Sequence, residues 1–356
     1  MTRWKDRTDR ERYALMENGM QSQPGDVLAT HSSTRDFTDE EAGRGSASAK
    51  LILFGEHVVL HGRPAISLPV PSLPVTATAR RQPGPVVIES SAFDTEWRAL
   101  AATSHLNASA VPRLAVSAVC EYLGLPDEGL LVTVDSSIPA GRGFGSSAAS
   151  SAAIIAAVAK LAKRELDSDT MFALIQQSEA FAHGKASGVD ARTVIGAGGP
   201  MWFQDGKTTP LRVADGRAVL VVADTGVSGS TRDAVAAVRR RLVALGADGA
   251  DLLNRAGAIT AAAAADLVAG RFAEVGSKMT ATQEILALLG VSCFEIDNLV
   301  GAALEAGALG AKLSGGGLGG CVIALAADDS AAARLRAALS DAGAERCYTV
   351  GLGAAS

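Results

Sequence analysis

The sequence predicts an α+β fold made of two domains. Apolar runs of strand type and of helix type are mixed along the chain without the regular alternation of a βαβ protein. With 356 residues, 48% of them hydrophobic and 20% charged, the chain is long enough for two soluble cores. The polar turn "PLRVADGR", ahead of a new strand, favours a domain boundary near Ala214. We therefore expect a disordered tail over residues 1–45, one domain over 46–214 and a second over 215–356.

The elements of the first domain follow from their composition. Residues 1–45 are charged and polar with little apolar periodicity, which is typical of a solvated tail. The stretches "AKLILFGE" and "AISLPVPSLPVTATARR" predict two strands, and the prolines of the second suit strand ends and sheet edges. Next come a helix at "PRLAVSAVCEYLGL", a strand at "GLLVTVDSSIP" and a helix at "SSAASSAAIIAAVAKLAKREL". A further helix, "DTMFALIQQSEAFAHG", has Asp169 as its N-cap candidate and ends at Gly184.

The second domain begins with the strand "RAVLVVADTG" and continues with long alanine-rich helices. Near its end, "GGGLGG" from Gly315 satisfies the dinucleotide pattern G-x-G-x-x-G, but the strand-like "CVIALA" follows it where a dinucleotide-binding fold needs a helix. This excludes an NAD-dependent oxidoreductase of that type. No GxxxxGK[ST] is present, which excludes a P-loop NTPase.

Charge and cysteine content exclude other classes of function. The net charge is −5 and there is no long basic run, which argues against a nucleic-acid partner or an anionic membrane surface. The four cysteines are scattered and form no CxxC pair, so we expect neither a zinc site nor disulfides, and a reducing cytosol. The N-terminus is charged where a signal peptide is apolar. We expect a soluble, cytoplasmic protein.

A glycine-rich loop, "GRGFGSSAAS" from Gly141, lies between a predicted strand and a predicted helix. Three alternating glycines let the backbone approach a ligand, and free N–H groups at the start of a helix attract an anion. The loop therefore suits a phosphate. For a lone glycine-rich loop a plain strand-to-helix turn is the better explanation, so other motifs have to decide.

Two charged residues stand in apolar surroundings. Lys50 lies inside "AKLILF", where an unpaired ammonium is costly, so it needs a carboxylate partner or an anionic ligand. Glu179 shares a helical stripe with Phe172, Ile175 and Ala182 and needs a compensating cation. Asp190 lies between glycine-bearing segments in a predicted loop, where a turn-capping role is the alternative to a catalytic one.

Three segments together resemble the signatures of the GHMP family of small-molecule kinases: "SASAKLILFGEHVVLHGRPAI", "IPAGRGFGSSAA" and "AKLSGGGLGGCVIAL". Within that family, "GEHVVLHG", "EAFAHGKASGVDA" and "ADTGVSGSTR" are similar to the mevalonate kinases, over roughly residues 48–351. Ala186, Ala191 and Phe144 replace the usual proline, asparagine and leucine, and none of these changes removes a charged group.

The resemblance implies a fold and a set of roles. The fold would be a ribosomal-protein-S5-like N-terminal domain and a ferredoxin-like C-terminal domain with the active site in the cleft between them. Asp190 and Lys50 would be catalytic, and Ser147 and Glu179 would bind Mg²⁺. The expected ATP contacts are Ser136, Gly141, Arg142, Gly143, Phe144, Gly145, Ser146 and Ser147. The expected substrate contacts are Glu56, His57, Ser314 and Gly315, with Glu56 and His57 lining a mevalonate pocket that offers hydrogen-bond donors.

The implied activity is ATP-dependent phosphorylation of mevalonate at its 5-hydroxyl. A sister kinase acting on phosphomevalonate or a sugar, and a catalytically silent ligand-binding member, are the alternatives. His57 is nearly as well explained as a structural histidine, whereas His61 and His183 are interpreted as structural. The expected partners are the small-molecule substrate and ATP, and a homodimer is an open option for the oligomeric state.

Overall fold

The computed structural model describes residues 42–91, 111–183, 187–196 and 198–352, with the backbone alone for residues 181–183. Most of the predicted tail, and the predicted helix end at Gly184, lie outside this range. The strands are β1 Gly43–Phe54, β2 Ala65–Arg81, β3 Val87–Ser90, β4 Leu130–Ser136, β5 Met201–Gln204, β6 Lys207–Pro210, β7 Val219–Asp224, β8 Gly310–Ser314, β9 Cys321–Ala326 and β10 Arg346–Gly351. The α-helices are α1 Val111–Leu123, α2 Ser146–Leu161, α3 Ser168–His183, α4 Val189–Val194, α5 Thr231–Leu245, α6 Ala247–Ala269, α7 Phe272–Leu288, α8 Phe294–Glu305 and α9 Asp329–Asp341.

The first sheet has six strands in the order β3-β4-β2-β5-β6, with β1 paired antiparallel to β2. Its long strand β2 lies inside the sheet as a whole, but the stretch that carries its prolines has no partner strand on one side and forms a local edge, which agrees with the expectation for these prolines. The carboxyl half of β2 pairs with β4 from Val75 onward, and its first three residues pair with β5. The prolines fall between these two stretches, where a missing N–H removes no hydrogen bond on that side.

Strand β1 begins at Gly43, three residues before the predicted start of the domain. A Cβ on Gly43 would lie 2.1 Å from the carbonyl oxygen of Ala157, and one on Gly45 would lie 2.1 Å from that of Ala153. These glycines therefore let the strand lie directly against helix α2. The end of the predicted tail belongs to the sheet because of this close packing.

The second sheet is antiparallel, in the order β10-β7-β9-β8. Every residue of β7 is buried, because both faces of this sheet are covered. Leu220 and Val222 pack in the core that also contains β1 and β2. Val219 and Val221, on the opposite face, pack with helices α5 to α9. The sheet is thus a shared layer that holds the two halves of the protein together.

The predicted α+β class is confirmed, with mixed sheets and helices in both halves. The break between the two sheets lies between Pro210 and Val219, around the predicted domain boundary, which itself stays a prediction. Helix α3 is capped by Asp167, whose Oδ1 accepts from the N–H of Thr170 at 2.7 Å, and not by Asp169. By length and composition α6 could cross a membrane, but buried core helices meet the same criteria and 44% of its apolar window is buried in the protein.

Candidate active site

The glycine-rich loop leads directly into helix α2. Gly141, Gly143 and Gly145 have φ angles of +70°, +80° and +71°, a left-handed conformation that residues with a side chain rarely adopt. The first N–H groups of α2, from Ser146 onward, have no partner one turn earlier in the helix. The loop therefore presents the positive end of a sixteen-residue helix, and an anion such as phosphate can bind there.

Lys50 runs beneath this loop. A Cβ on Gly145 would lie 2.7 Å from Cε of Lys50, so only glycine leaves room for the lysine side chain. The backbone N–H of Lys50 also donates to the carbonyl of Phe144 at 2.9 Å. Strand β1 and the loop are therefore held together at the point where the lysine passes.

The ammonium of Lys50 has the carboxylate partner that the sequence required. Its Nζ lies 2.9 Å from Oδ1 of Asp190, and the two side chains are 3% and 36% exposed. Asp190 lies in the first turn of the short helix α4 and not in a loop, as its neighbouring glycines had suggested. The pair thus combines a buried cation with a carboxylate that solvent, or a ligand, can reach.

Glu179 points inward, as its helical stripe predicted. It is 5% exposed, and its Oε1 accepts a 2.5 Å hydrogen bond from the hydroxyl of Ser147, the second residue of α2. Burial raises the pKa of Glu179 to about 7, and the charge of Asp190 acts in the same direction, although the Ser147 hydroxyl opposes the shift. The carboxylate therefore needs a cation beside it to be fully ionised at neutral pH.

The donor set of Glu179 and Ser147 fits a magnesium ion. Both offer hard oxygen ligands, which Mg²⁺ prefers. Within the described residues, no group of three or more His, Cys, Asp or Glu side chains could hold a metal alone. A magnesium ion that shares its coordination with nucleotide phosphates needs only one or two protein oxygens, so two ligands are sufficient here.

Glu56 and Lys312 form an ion pair whose two side chains are both 0% exposed. The Nζ of Lys312 donates to Oε1 of Glu56 and, at 2.5 Å, to the carbonyl of Leu313. Burial raises the pKa of Glu56 and lowers that of Lys312, and their mutual attraction opposes both shifts. Oε2 of Glu56 has no hydrogen-bond partner among the described residues. Glu56, predicted to contact substrate, thus also anchors the segment after β1 to strand β8.

His57 adopts a left-handed conformation, with a φ of +61°, and its Nε2 lies 2.8 Å from the carbonyl oxygen of Gly316. Burial lowers the pKa of His57, so the ring is neutral near pH 7. Because a carbonyl can only accept, Nε2 carries the proton and donates it, and Nδ1 is left as an acceptor. The ring therefore offers a ligand an acceptor and not the donor that the sequence analysis expected.

The hydroxyl of Ser314 is used within the protein. It accepts from the N–H of Ile52 at 3.1 Å and donates to the carbonyl of Ile52 at 3.0 Å, and the residue is 1% exposed. A Cβ on Gly143 would lie 3.0 Å from the carbonyl oxygen of Ser314 and 3.8 Å from Cα of Gly315. Ser314 and Gly315 therefore adjoin the phosphate loop through their backbone.

Three of the predicted ATP contacts have side chains engaged elsewhere. Phe144 is 1% exposed and packs edge to face on Tyr348, with ring centroids 5.7 Å apart. The hydroxyl of Ser136 accepts from the N–H of Ile138 at 3.2 Å. Arg142 pairs with Asp224 at 3.0 Å. At Phe144 and Arg142 only the backbone remains for a nucleotide in this arrangement, whereas the Ser136 hydroxyl keeps its proton to donate.

Lys312 and Asp224 also belong to this site, although neither was among the residues predicted for it. Lys312 could have been found, because "GAKLS" places a lysine in an apolar strand just as "AKLILF" does for Lys50. Asp224 lies in the segment "ADTGVSGSTR" quoted for the resemblance, but it ends a strand, where aspartate is common, so nothing in its neighbours assigns it to the site.

Comparisons with known proteins agree in both halves of the chain. Residues 110–199 match the family described as GHMP kinases N terminal domain, and residues 263–345 match GHMP kinases C terminal. The mevalonate kinase of Thermococcus sibiricus is 35% identical over 297 residues, which cover 79% of this chain and 88% of that relative.

Solved structures give the same result. The L. major mevalonate kinase in complex with R-mevalonate superposes with a TM-score of 0.75 at 26% identity, over 88% of this chain and 97% of that one. The Streptococcus pneumoniae phosphomevalonate kinase has a TM-score of 0.71 over 86% of this chain and 99% of its own, but at 16% identity it shows a common fold only.

Proposed function

This chain belongs to the GHMP kinase family, and we propose that it is a mevalonate kinase, which transfers the γ-phosphate of ATP to the 5-hydroxyl of mevalonate to give 5-phosphomevalonate and ADP. The observation that carries this proposal is the Lys50–Asp190 contact directly beneath the glycine-rich loop. It places a proton acceptor, a cation and a phosphate site next to one another. Phosphoryl transfer depends mainly on such positioning and charge neutralisation.

Asp190 acts on the attacking hydroxyl. Its Oδ1 is held by Lys50, and the partly exposed carboxylate orients the hydroxyl and receives its proton as the oxygen attacks phosphorus. Lys50 fixes the direction of the carboxylate and adds positive charge beside the oxygen on which negative charge develops. Its burial makes this charge more effective than it would be in water.

The loop and helix α2 bind the phosphates of ATP through backbone N–H groups. Glu179 and Ser147 are the residues that would hold Mg²⁺, which would neutralise phosphate charge when bound. A bound cation favours the ionised form of Glu179 and offsets the effect of its burial. Before a cation binds, the hydrogen bond from the Ser147 hydroxyl to Glu179 keeps these two side chains next to each other.

Mevalonate binds against the segment after β1. Oε2 of Glu56 and Nδ1 of His57 are acceptors suited to its hydroxyl groups, whereas Ser314 and Gly315 contribute backbone. A sister kinase for phosphomevalonate needs further basic residues for a second phosphate. A silent member would have no use for Lys50 and Asp190 in contact. The dinucleotide alternative is excluded by strand β9, which follows the last glycines at Cys321.

The proposed function is tested by ADP release from Mg·ATP with mevalonate, phosphomevalonate or galactose as the acceptor. We expect turnover with mevalonate alone. Turnover with another alcohol only would agree with the proposed role of the loop in phosphate binding but would contradict mevalonate as the substrate. Binding of ATP without any turnover would favour a silent ligand-binding member. The homodimer and the cytoplasmic location stay predictions, which gel filtration with light scattering and cell fractionation can check.

Replacing Gly145 with alanine should lower kcat by at least about tenfold. The new Cβ would lie 2.7 Å from Cε and 2.8 Å from Cγ of Lys50, so the lysine must move away from Asp190. The left-handed backbone adds a cost of about 1–2 kcal/mol to folding. Steady-state kinetics and urea unfolding measure the two effects separately.

Gly124→Ala is the matched control. Gly124 has a φ of +67°, and a Cβ there meets nothing within 4 Å. The Gly124→Ala variant should lose about as much stability as Gly145→Ala and keep the kcat of the wild type. Equal loss of kcat in the two variants would mean that backbone strain, and not displacement of Lys50, is responsible.

A further inference from the structure

Arg142 lies within the phosphate loop, but its guanidinium points into the second half of the protein. Its Nε lies 3.0 Å and 3.1 Å from the two carboxylate oxygens of Asp224. Nη1 donates to the hydroxyl of Ser228 at 2.8 Å, and Nη2 donates to Oε2 of Glu345 at 3.1 Å. The side chain is 14% exposed. All three guanidinium nitrogens are thus engaged by residues that lie beyond the first sheet.

Asp224 is itself firmly placed. It is 3% exposed, its Oδ1 accepts from the N–H of Gly226 at 2.9 Å, and its carbonyl accepts from the N–H of Glu345 at 2.9 Å. Two of the acceptors for Arg142 are therefore linked to each other by a backbone hydrogen bond. A rigid planar fork such as guanidinium, with several acceptors in fixed positions, holds its own backbone in place far better than a lysine could.

The loop backbone contacts the same part of the second half. The carbonyl of Gly141 accepts from the N–H of Gly229 at 3.1 Å. A Cβ on Gly320 would lie 3.2 Å from the carbonyl oxygen of Arg142. Backbone and side chain thus fasten one end of the loop to the segment from Asp224 to Gly229, while the other end continues into α2.

We propose that Arg142 is a positioning residue for ATP binding, which holds the phosphate loop in its binding shape through Asp224 and Glu345 instead of contacting the phosphates itself. This inference rests on the proposed binding of ATP to the loop. Without Arg142 the three-glycine loop regains conformational freedom that nucleotide binding must then remove. The cost falls on nucleotide affinity, because Asp190, Lys50 and the acceptor alcohol are not touched by Arg142.

The test measures the Kd of a non-hydrolysable Mg·ATP analogue by calorimetry for Arg142→Ala, Asp224→Asn and their combination. We expect Arg142→Ala to bind about tenfold more weakly. Asp224→Asn should weaken binding by a similar factor, although Arg142 is retained, and the double variant should be no worse than either single one, because both remove the same interaction. KM for ATP should rise in parallel, with kcat within about threefold.

If Arg142 contacted phosphate directly, the change in nucleotide affinity of Asp224→Asn would have the opposite sign. If Arg142 bound phosphate, Asp224→Asn would release the guanidinium towards the nucleotide and tighten binding or leave it unchanged. That result overturns the proposal. Because Asp224 is buried, Glu345→Gln serves as a milder second variant: its side chain is 45% exposed, and we expect about threefold weaker binding. Unchanged binding by both Asp224→Asn and Glu345→Gln would also contradict the proposal.

Hydrogen exchange at the loop amides distinguishes a local effect on the loop from a general loss of stability. Residues 141–147 should exchange faster in Arg142→Ala while α7 keeps its protection. Arg271→Ala is the matched control, because the guanidinium of Arg271 pairs with Asp266 at an N–O distance of 2.6 Å and does not contact the loop. This variant should leave loop exchange and the Kd unchanged. Absence of nucleotide binding in the wild type would defeat the proposed function instead, so the two failures are distinguishable.

Discussion

Replacing Asp190 with asparagine should lower kcat by about 10²–10⁴-fold, the range that a positioned general base contributes. Asparagine has nearly the same shape but cannot take the proton of the attacking hydroxyl, and it no longer neutralises Lys50, which is 3% exposed. KM for ATP should change little because the phosphates are bound by the loop. Single-turnover kinetics with mevalonate and Mg·ATP measure the loss at the chemical step.

Loss of folding has to be separated from loss of chemistry, because an unpaired buried ammonium destabilises the protein. Urea unfolding and calorimetric ATP binding of Asp190→Asn provide this check. Asp169→Asn is the matched control: its carboxylate pairs with Arg192 at 2.8 Å but is 84% exposed, so kcat should remain that of the wild type. A kcat within about threefold of wild type for Asp190→Asn would contradict its role as the base.

Lys50 and Glu179 were predictable from sequence for a physical reason. Each is a charge among apolar neighbours, and burial of a charge requires a partner. A buried charge implies that a partner exists, but the partner's identity came from the resemblance. The structure supplies Asp190 for Lys50 and the Ser147 hydroxyl for Glu179, whereas the compensating cation expected for Glu179 stays a prediction.

The direction of loop side chains was not predictable. Arg142 and Phe144 lie in the same glycine-rich motif, yet one pairs with Asp224 and the other packs on Tyr348. These partners are 82 and 204 positions away, and a loop has no periodicity that assigns its side chains to a face. The order of the first sheet was equally hidden, because the prolines of β2 indicate missing hydrogen bonds without saying on which side or over what length.

Replacing Lys312 with methionine should lower the free energy of unfolding by about 3–5 kcal/mol, as expected when one partner of a buried ion pair is removed. The Glu56 side chain is 0% exposed, so its carboxylate would be left without a counter-charge in a region from which water is excluded. Burial already raises the pKa of Glu56, and without Lys312 the group must take up a proton or disrupt the packing between β1 and β8. Urea unfolding at pH 7 measures this loss.

The double variant Glu56→Met/Lys312→Met separates buried charge from packing. Methionine is flexible and similar in length to both side chains, so it fills the space while removing both charges, and stability should return to within about 1.5 kcal/mol of wild type. Lys278→Met is the control for a less buried pair, because Lys278 is 26% exposed and Asp266 retains Arg271; it should cost about 1 kcal/mol or less.

The same double variant distinguishes the two roles of Glu56. If Glu56 only anchors β8, restoring stability also restores the KM for mevalonate. If its Oε2 accepts a hydroxyl of mevalonate, that KM stays at least about tenfold above wild type in the restored protein, because a lost hydrogen bond to a charged group is worth about 1.5–3 kcal/mol. We expect the second result, since Lys312 bonds to Oε1 and leaves Oε2 without a hydrogen-bond partner among the described residues, so that it can accept from a hydroxyl of the substrate. A double variant as unstable as Lys312→Met alone would instead mean that this site is held by shape and not by charge.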